Sequence, residues 1–369
     1  MPLDLMMIAA LLGAILLGYP VAFTIGGVAV LFALIGGATG AMDLSLLGAL
    51  GQRIFGVMTN GVLIAIPLFV FMGVVLEKSR VAEDLLGTMG RLFGAMPGGL
   101  GLSVIAVGAL LAASTGIVGA TVIAMGLIAL PSMLRAGYDP RLASGLVCTA
   151  GTLGQIIPPS TLLIILSDVM SNAYQQAQFA EGKFTVETIS VGQLFAGALL
   201  PGLLLVALYA GYLMVRAGLQ PGVAPAAPGE GRPDARAVAV AILPPVLLIV
   251  AVLGAILGGV ATPTEAAAIG AVGALFMADL REAGPRWLTL AGAAAFLALA
   301  VAAGLAPVRL QRSDAGAAEL ALGGAYAGLA LLGIAALGAA LLRARRSGLL
   351  AAAVTQTMTV TAMIFATIL

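Results

Sequence analysis

The chain has no histidine, one cysteine (Cys148) and one tryptophan, and only 9% of its 369 residues are charged. Without histidine and with a single cysteine, the chain cannot form a disulfide pair, a zinc site, a c-type haem attachment or a His-dependent catalytic triad. Soluble domains carry roughly 25% charged residues, so an ordinary soluble protein is also excluded. The formal net charge of +1 gives no reason to expect a nucleic-acid partner.

Apolar residues dominate the composition, since 61% of the chain is hydrophobic. We therefore expect an all-α polytopic protein embedded in a lipid bilayer. The N-terminus lacks a basic region and a cleavage site, which predicts a mature span rather than a signal peptide. Cys148 lies in an apolar stretch, and we expect it to be a small buried side chain.

Residues 151–160, Gly-Thr-Leu-Gly-Gln-Ile-Ile-Pro-Pro-Ser, interrupt one apolar run. Pro158 and Pro159 lack a backbone N–H and disfavour helix in the residue before them, while Gly151 and Gly154 loosen the helix upstream. A membrane helix must break here. Broken backbone is tolerated at membrane depth only under a cover of protein or in a water-filled cavity, where it commonly binds ions or substrate. This segment therefore predicts a transport site.

Two apolar arms, residues 99–113 and 117–134, flank a polar tip at Ser114-Thr115-Gly116. Neither arm comfortably crosses a hydrocarbon core of about 30 Å at 1.5 Å per residue, so we predict a re-entrant hairpin. If the hairpin lies beside the broken helix, hydroxyl and carbonyl oxygens converge, and such ligands suit Na⁺. In the alternative, the hydroxyl residues, Thr121 included, are only small packing residues between helices.

The first apolar stretch, Leu3–Gly37, is either one tilted helix or two pieces meeting at Gly18-Tyr19-Pro20. A polar loop is expected at 172–190 and a Pro/Gly/Arg-rich linker at 217–236. The positive-inside rule places the arginine-bearing feet of the hairpin and this linker in the cytoplasm. The remaining predicted spans are 60–76, 142–157, 161–170, 191–215, 237–260, 264–279, 288–306, 316–342 and 348–369.

Two further polar features have alternative interpretations. Thr262-Pro263-Thr264-Glu265 has the residues of a capped helix start, or else Glu265 anchors a scaffold helix near the transport cavity. Asp168 is expected near the outer interface, and a proton-coupling role for it is the weaker hypothesis. No phosphate loop, G-x-S-x-G elbow or metal motif is present, which argues against ATP-driven transport by this chain alone.

Four segments together resemble the large membrane subunit of the tripartite ATP-independent periplasmic (TRAP) transporters, and they occur in the family's order. They are Ala-Ser-Thr-Gly-Ile-Val-Gly-Ala-Thr at 113–121, Gly-Tyr-Asp-Pro at 137–140, the proline-containing segment 151–160, and Ala-Thr-Pro-Thr-Glu-Ala-Ala-Ala at 261–268. The resemblance implies a secondary transporter subunit, not an enzyme, in the bacterial inner membrane.

The resemblance also implies an elevator-type subunit of an importer of organic acids such as carboxylates. The family uses a Na⁺ gradient and no other cofactor, and its partners are a periplasmic substrate-binding protein and a small four-helix membrane subunit. The alternative is a binding-protein-independent, ion-coupled carboxylate transporter of the same superfamily. A membrane-embedded enzyme is disfavoured, because histidine and paired intramembrane carboxylates are lacking.

Carried over position by position, the family's functional residues fall on the two polar interruptions. Substrate would lie near Thr152 and Ser160, and the helix break would comprise Gly151, Pro158 and Pro159. The tip departs from the commoner Ser-Gly-Ser pattern and offers fewer hydroxyls, so carbonyl coordination of the ion is favoured over side-chain coordination. The first Na⁺ site would be formed by Ser114, Thr115 and Gly116 with backbone oxygens around Gly154, Ile156 and Pro159.

The resemblance further implies a division of the chain. We expect the chain to stop inside the second repeat, before the second hairpin and the second Na⁺ site. It would then be a truncated form of a longer subunit. The expected parts are scaffold helices at 1–97, a first transport repeat at 98–171 (hairpin 98–134, broken helix 141–171), a connecting loop and span at 172–216, the cytoplasmic linker 217–236, second-half scaffold helices at 237–284, inserted spans at 285–346, and the start of the second repeat at 347–369.

Overall fold

The computed structural model describes residues 3–79, 81–115, 118–183, 185, 187–226, 233–281, 286–306 and 317–368. These described residues form α-helices and two 3₁₀ turns, Leu44–Ala49 and Leu153–Gln155, with no strand among them. The helices are α1 (Leu3–Leu16), α2 (Val21–Ala38), α3 (Leu50–Thr59), α4 (Ala65–Lys78), α5 (Val81–Phe93), α6 (Gly99–Thr115), α7 (Val118–Arg135), α8 (Pro140–Thr152), α9 (Thr161–Ala180), α10 (Val191–Leu219), α11 (Ala235–Leu257), α12 (Pro263–Asp279), α13 (Arg286–Leu305), α14 (Ala317–Arg346) and α15 (Leu349–Ile368).

Within the described part of the chain, six helices are long and apolar enough to cross a membrane: α2, α10, α11, α13, α14 and α15. Three shorter apolar helices coincide with α1, α6 and α7. The predicted all-α polytopic fold is therefore confirmed. The two hairpin arms are separate helices of 17 and 18 residues.

The helices divide into two compact units, one of residues 1–64 with 355–369 and the other of residues 65–354. In the first unit, α1 packs against α2. The chain turns between them at Gly18, whose φ of +83° suits glycine, and Pro20 precedes α2. Of the two alternatives for this stretch, the two-piece one is confirmed.

Helix α4 is the interior element of the second unit. It is buried on all sides, as expected for a helix that is apolar around its circumference, and it packs against α5, α6, α9 and α12. The approach of α12 depends on Gly270, because a Cβ there would lie 2.5 Å from the sulfur of Met72. The buried residues of α4 are Ala65, Ile66, Phe69, Val70, Met72, Gly73, Val74, Val75 and Leu76.

The structure differs from the sequence-based expectation around the polar loop and the linker. Helix α9 continues to Ala180 although a loop was expected from 172, because the buried amide of Gln178 exchanges hydrogen bonds with the backbone of Glu187 (3.0 and 3.1 Å). Helix α10 likewise continues to Leu219, into the expected linker. Helices α3 and α5 were not predicted.

A buried ion pair fastens the α13–α14 pair to α12. The Asp279 carboxylate accepts hydrogen bonds from Nε and Nη2 of Arg343 (2.5 and 2.6 Å) and from the Thr289 hydroxyl. Between α13 and α14, Gly292 faces Ala336, where a Cβ on the glycine would lie 2.2 Å from the alanine Cβ. The three helices are therefore held by one polar network and close apolar packing.

We predict that Asp279→Leu destabilises the protein by about 3–5 kcal/mol, because it leaves the Arg343 guanidinium without its buried partner. Adding Arg343→Leu should restore most of the loss, since neither charge then remains. Denaturation in detergent measures both variants against Glu319→Leu, which removes an exposed carboxylate at the start of α14. An Asp279→Leu loss no larger than that of Glu319→Leu would contradict the prediction.

Candidate functional site

Helix α8 begins with a well-defined cap and ends at the proline-containing segment. The Asp139 carboxylate accepts hydrogen bonds from the backbone N–H groups of Arg141 and Leu142 (2.9 and 3.0 Å), and Pro140 occupies the first turn. After Thr152 the chain tightens into the 3₁₀ turn and then leaves helical geometry until Thr161. The backbone is thus non-helical where the two prolines stand.

Ser160 connects the two sides of this interruption. Its side chain is fully buried, its hydroxyl donates to the carbonyl oxygen of Gln155 (2.9 Å), and it accepts a hydrogen bond from the N–H of Leu163 (3.4 Å). The second contact makes Ser160 the N-cap of α9. The hydroxyl therefore holds the start of α9 against the end of the 3₁₀ turn.

Several carbonyl oxygens in the interruption have no hydrogen-bond donor within the described part of the chain. The carbonyl of Leu153 accepts from the N–H groups of Ile156 and Ile157, both at 3.0 Å. By contrast, no donor among the residues that the structure describes reaches the carbonyl oxygens of Gly154, Ile156 or Pro159. Buried carbonyls are rarely left unpaired, and Gly154 and Pro159 are buried residues. These oxygens are therefore suited to coordinate a cation.

Both arms of the hairpin lie against the broken helix. Helices α6 and α7 each contact α8 and the 3₁₀ turn. A Cβ at Gly108 on α6 would lie 2.7 Å from the Cβ of Ala150. A Cβ at Gly151 would lie 2.4 Å from a methyl of Val122 on α7. Since only glycine permits these approaches, Gly108 and Gly151 set the closeness of the hairpin to the break.

Helix α10 covers the break from another side. A Cβ at Gly202 would lie 3.1 Å from the side chain of Ile157. Leu153 and Ile157 form a buried apolar cluster, against which partly buried side chains of three helices pack: Ala109, Leu205, Val206, Tyr209 and Ile249. Protein therefore covers the irregular backbone, as membrane depth requires.

The predicted site residues are only partly brought together. Ser114 and Thr115 end α6, their side chains are not described, and Gly116 lies outside the described residues. Thr152 is exposed and its hydroxyl donates to the carbonyl of Thr149 (2.8 Å), whereas Ser160 is buried. The predicted ion and substrate roles of these residues stay predictions.

The structure also bears on the expectations for Cys148, Asp168 and Glu265. Cys148 is exposed on α8, so the prediction of a buried side chain is wrong. Asp168 is half-buried within α9, with the Asn172 amide 3.5 Å away. The Glu265 carboxylate accepts hydrogen bonds from the N–H and the hydroxyl of Thr262, both at 2.8 Å, which favours the capped-helix alternative.

Sequence reasoning missed two features that position the site. Tyr138 lies in the loop before α8, its oxygen accepts the N–H of Gly101 (3.2 Å), and burial raises the pKa of its phenol. It thereby ties the start of α6 to the start of α8, and its place in the Gly-Tyr-Asp-Pro motif is the available sequence signal. Gly108 carries no such signal among the 50 glycines of the chain.

Irregular backbone between membrane helices, covered by other parts of the protein, is typical of the membrane subunits of secondary transporters. The comparison with protein families agrees with this class. Residues 6–369 match the family described as "Tripartite ATP-independent periplasmic transporter, DctM component", and the chain belongs to this family. The chain is therefore a multi-pass inner-membrane protein of a family of transporter permease subunits, which is not a family of enzymes.

Individual relatives agree with the family match. The C4-dicarboxylate TRAP transporter large permease protein of Vibrio cholerae is 31% identical over 279 residues, covering 74% of this chain and 56% of that protein. Its counterpart in Pseudomonas aeruginosa is 32% identical over 249 residues (66% and 53%). The ectoine TRAP transporter large permease protein of Halomonas elongata is 28% identical over 266 residues (71% and 56%). The chain spans about half the length of the curated relatives it matches.

We predict that Gly108→Ala lowers stability by about 1–3 kcal/mol, because the added methyl overlaps Ala150 and forces α6 away from α8. The matched control is Gly126→Ala on α7, where a Cβ meets nothing within 4 Å. The control should be neutral or slightly stabilising, since alanine favours helix. Thermal denaturation of both purified variants measures the difference, and equal midpoints would refute the proposed close contact.

Proposed function

We propose that the chain forms the permease part of a Na⁺-coupled, binding-protein-dependent importer of organic acids. The observation that carries this proposal is the group of carbonyl oxygens at the helix break that no donor among the described residues reaches, sheltered by the hairpin and by α10. The names of the relatives support the substrate class, since they include permeases for C4-dicarboxylates, ectoine and sialic acid.

In this proposal the ion is Na⁺, held by the carbonyl oxygens of Gly154, Ile156 and Pro159. Hard cations prefer uncharged or anionic oxygen ligands and need no thiolate or imidazole. The tip residues Ser114, Thr115 and Gly116 would complete the shell from the hairpin. The Gly108 and Gly151 contacts support this arrangement, because they bring both arms of the hairpin against the helix that carries the carbonyls.

The carboxylate of the substrate would bind beside the ion, near the N-terminus of α9. The first N–H groups of a helix carry a partial positive charge that favours anions. The hydroxyl of Ser160 is already bonded to Gln155 and Leu163, so Ser160 orients this helix end. Thr152 is exposed and would offer the more accessible hydroxyl.

The mechanism we propose is of the elevator type, in which α6–α9 move as one body relative to the scaffold. The close glycine contacts favour a rigid body, because packed interfaces without space transmit displacement rather than absorb it. A small four-helix membrane subunit and a periplasmic substrate-binding protein are the proposed partners. The alternative is ion-coupled carboxylate transport without a binding protein.

We predict that Pro158→Ala with Pro159→Ala weakens Na⁺ binding about tenfold, the equivalent of roughly 1.4 kcal/mol, because residues 156–160 can then close into helix and their carbonyls gain donors. The measurement is stabilisation of the purified chain by NaCl relative to KCl. Pro244→Ala with Pro245→Ala is the matched control, since those two adjacent prolines lie inside continuous α11. Unchanged Na⁺-dependent stabilisation in the first variant would count against the ion site.

Uptake assays test the transport proposal itself. In a complete transporter assembly containing this chain, we expect organic-acid uptake to require both an inward Na⁺ gradient and the cognate binding protein. Uptake that needs Na⁺ but no binding protein would favour the alternative, and uptake that needs neither would refute Na⁺-coupled, binding-protein-dependent transport.

A further inference from the structure

A basic groove of about 600 Å³ opens between the start of α8 and the end of α10. Its polar lining includes Arg141 and Thr149 on the α8 side and Tyr209, Tyr212, Arg216 and Gln220 on the α10 side. Leu142 and Leu146 add an apolar wall. The groove thus combines two cations, hydroxyl and amide groups, and aliphatic surface, and none of these groups is a predicted ligand of the ion or the substrate.

The two arginines are available to an anion. Both are exposed, and neither guanidinium is ion-paired with a carboxylate within the described part of the chain. The carboxylate that lines the groove belongs to Asp139, which is engaged as the cap of α8 through the N–H groups of Arg141 and Leu142. The lining therefore carries an excess of positive charge.

The order of exposed side chains along α10 gives the depth of the groove in the membrane. Towards the end of the helix the exposed residues change from leucine to tyrosine and then to arginine: Leu200, Leu204, Leu208, Tyr212 and Arg216. Tyrosine is enriched at the membrane–water interface, and arginine on the cytoplasmic side of spans. Arg216 therefore lies at the level of the lipid headgroups, on the cytoplasmic side.

In this conformation of the chain, backbone hydrogen bonds join the two walls of the groove. The N–H of Asp139 donates to the carbonyl of Val223 (2.9 Å), and the N–H of Gly98 donates to the carbonyl of Ala224 (2.9 Å). The segment that follows α10 is thus bonded to the starts of both α6 and α8. Arg141 and Arg216 are consequently held across a preformed groove, which lowers the entropic cost of binding.

We propose that this groove binds the headgroup of an anionic phospholipid from the cytoplasmic leaflet. The phosphate lies between Arg141 and Arg216, whose guanidinium groups can each donate two hydrogen bonds to phosphate oxygens. The acyl chains follow the exposed leucines of α10. Basic pockets between membrane helices on the cytoplasmic side are typical headgroup sites. The proposal is independent of the Na⁺ site.

A lipid fits the groove better than a soluble anion does. Phosphate or a dicarboxylate would satisfy the arginines and leave Leu142, Leu146 and the exposed leucines of α10 without a partner. A phospholipid covers both surfaces, because its charge and its acyl chains are joined. Soluble anions are therefore the comparison that the experiment must include.

The test measures binding of phosphatidylglycerol to the purified chain in detergent by native mass spectrometry, with phosphatidylcholine as the neutral reference. Arg141→Gln with Arg216→Gln should weaken phosphatidylglycerol binding about 25-fold, roughly 5-fold for each arginine. Phosphatidylcholine binding should not change. Arg345→Gln with Arg346→Gln is the matched control, since it removes two exposed arginines from the end of α14, and it should retain the affinity.

Equal weakening in both double variants would overturn the proposal, since it would indicate general surface attraction. Competition by inorganic phosphate or succinate at millimolar concentration would also overturn the proposal, because it would make the groove a site for soluble anions.

If the Arg141/Arg216 variant fails to fold, the wild-type chain can be crosslinked with a photoactivatable phosphatidylglycerol. Adducts are then expected between Leu204 and Tyr212 on α10, and adducts confined to other helices would overturn the assignment.

Discussion

The irregular backbone at 153–160 imposes the constraint on which the rest of this structure depends. Each carbonyl released from a helix at membrane depth needs a donor, a cation or water, because lipid offers none of these. Around this segment the chain places two hairpin helices, α10 and the N-cap of α9. The contacts are close because the backbone at Gly108, Gly151 and Gly202 meets its neighbours without an intervening Cβ. The proposed ion ligands therefore lie within a few residues of the close contact at Gly151, so a change in the packing there would also move the carbonyl oxygens.

The two proline pairs illustrate how far local sequence can predict this fold. Pro158-Pro159 stands in non-helical backbone, whereas Pro244-Pro245 lies inside α11, which continues from Ala235 to Leu257. A proline removes one donor and strains the preceding turn in both places. The difference is in the upstream residues, since glycines at 151 and 154 weaken the helix before the first pair, while α11 has aliphatic residues there. Composition and breaker residues therefore predict the spans and the hairpin arms, whereas they leave open whether the first stretch is one tilted helix or two pieces that meet at Gly18.

Tertiary contacts decide what the local pattern could not. Nothing in the sequence separates Gly108, which faces Ala150, from Gly126, which faces open space. The continuation of α9 to Ala180 depends on the hydrogen bonds between Gln178 and Glu187, and these need a folded-back segment. The groove between Arg141 and Arg216 was equally hidden, because it requires the bond between Asp139 and Val223 that brings two distant stretches together.

The exposure of Cys148 has a practical consequence. The chain carries one thiol. It belongs to Cys148, which is exposed on α8 one turn before that helix ends at Thr152. A nitroxide or an environment-sensitive fluorophore attached to the unmodified chain would therefore report from one known position, on the helix that leads to the break. Spectroscopy could then follow the depth and hydration of α8 as Na⁺, organic acid or lipid is added, without first removing any other cysteine.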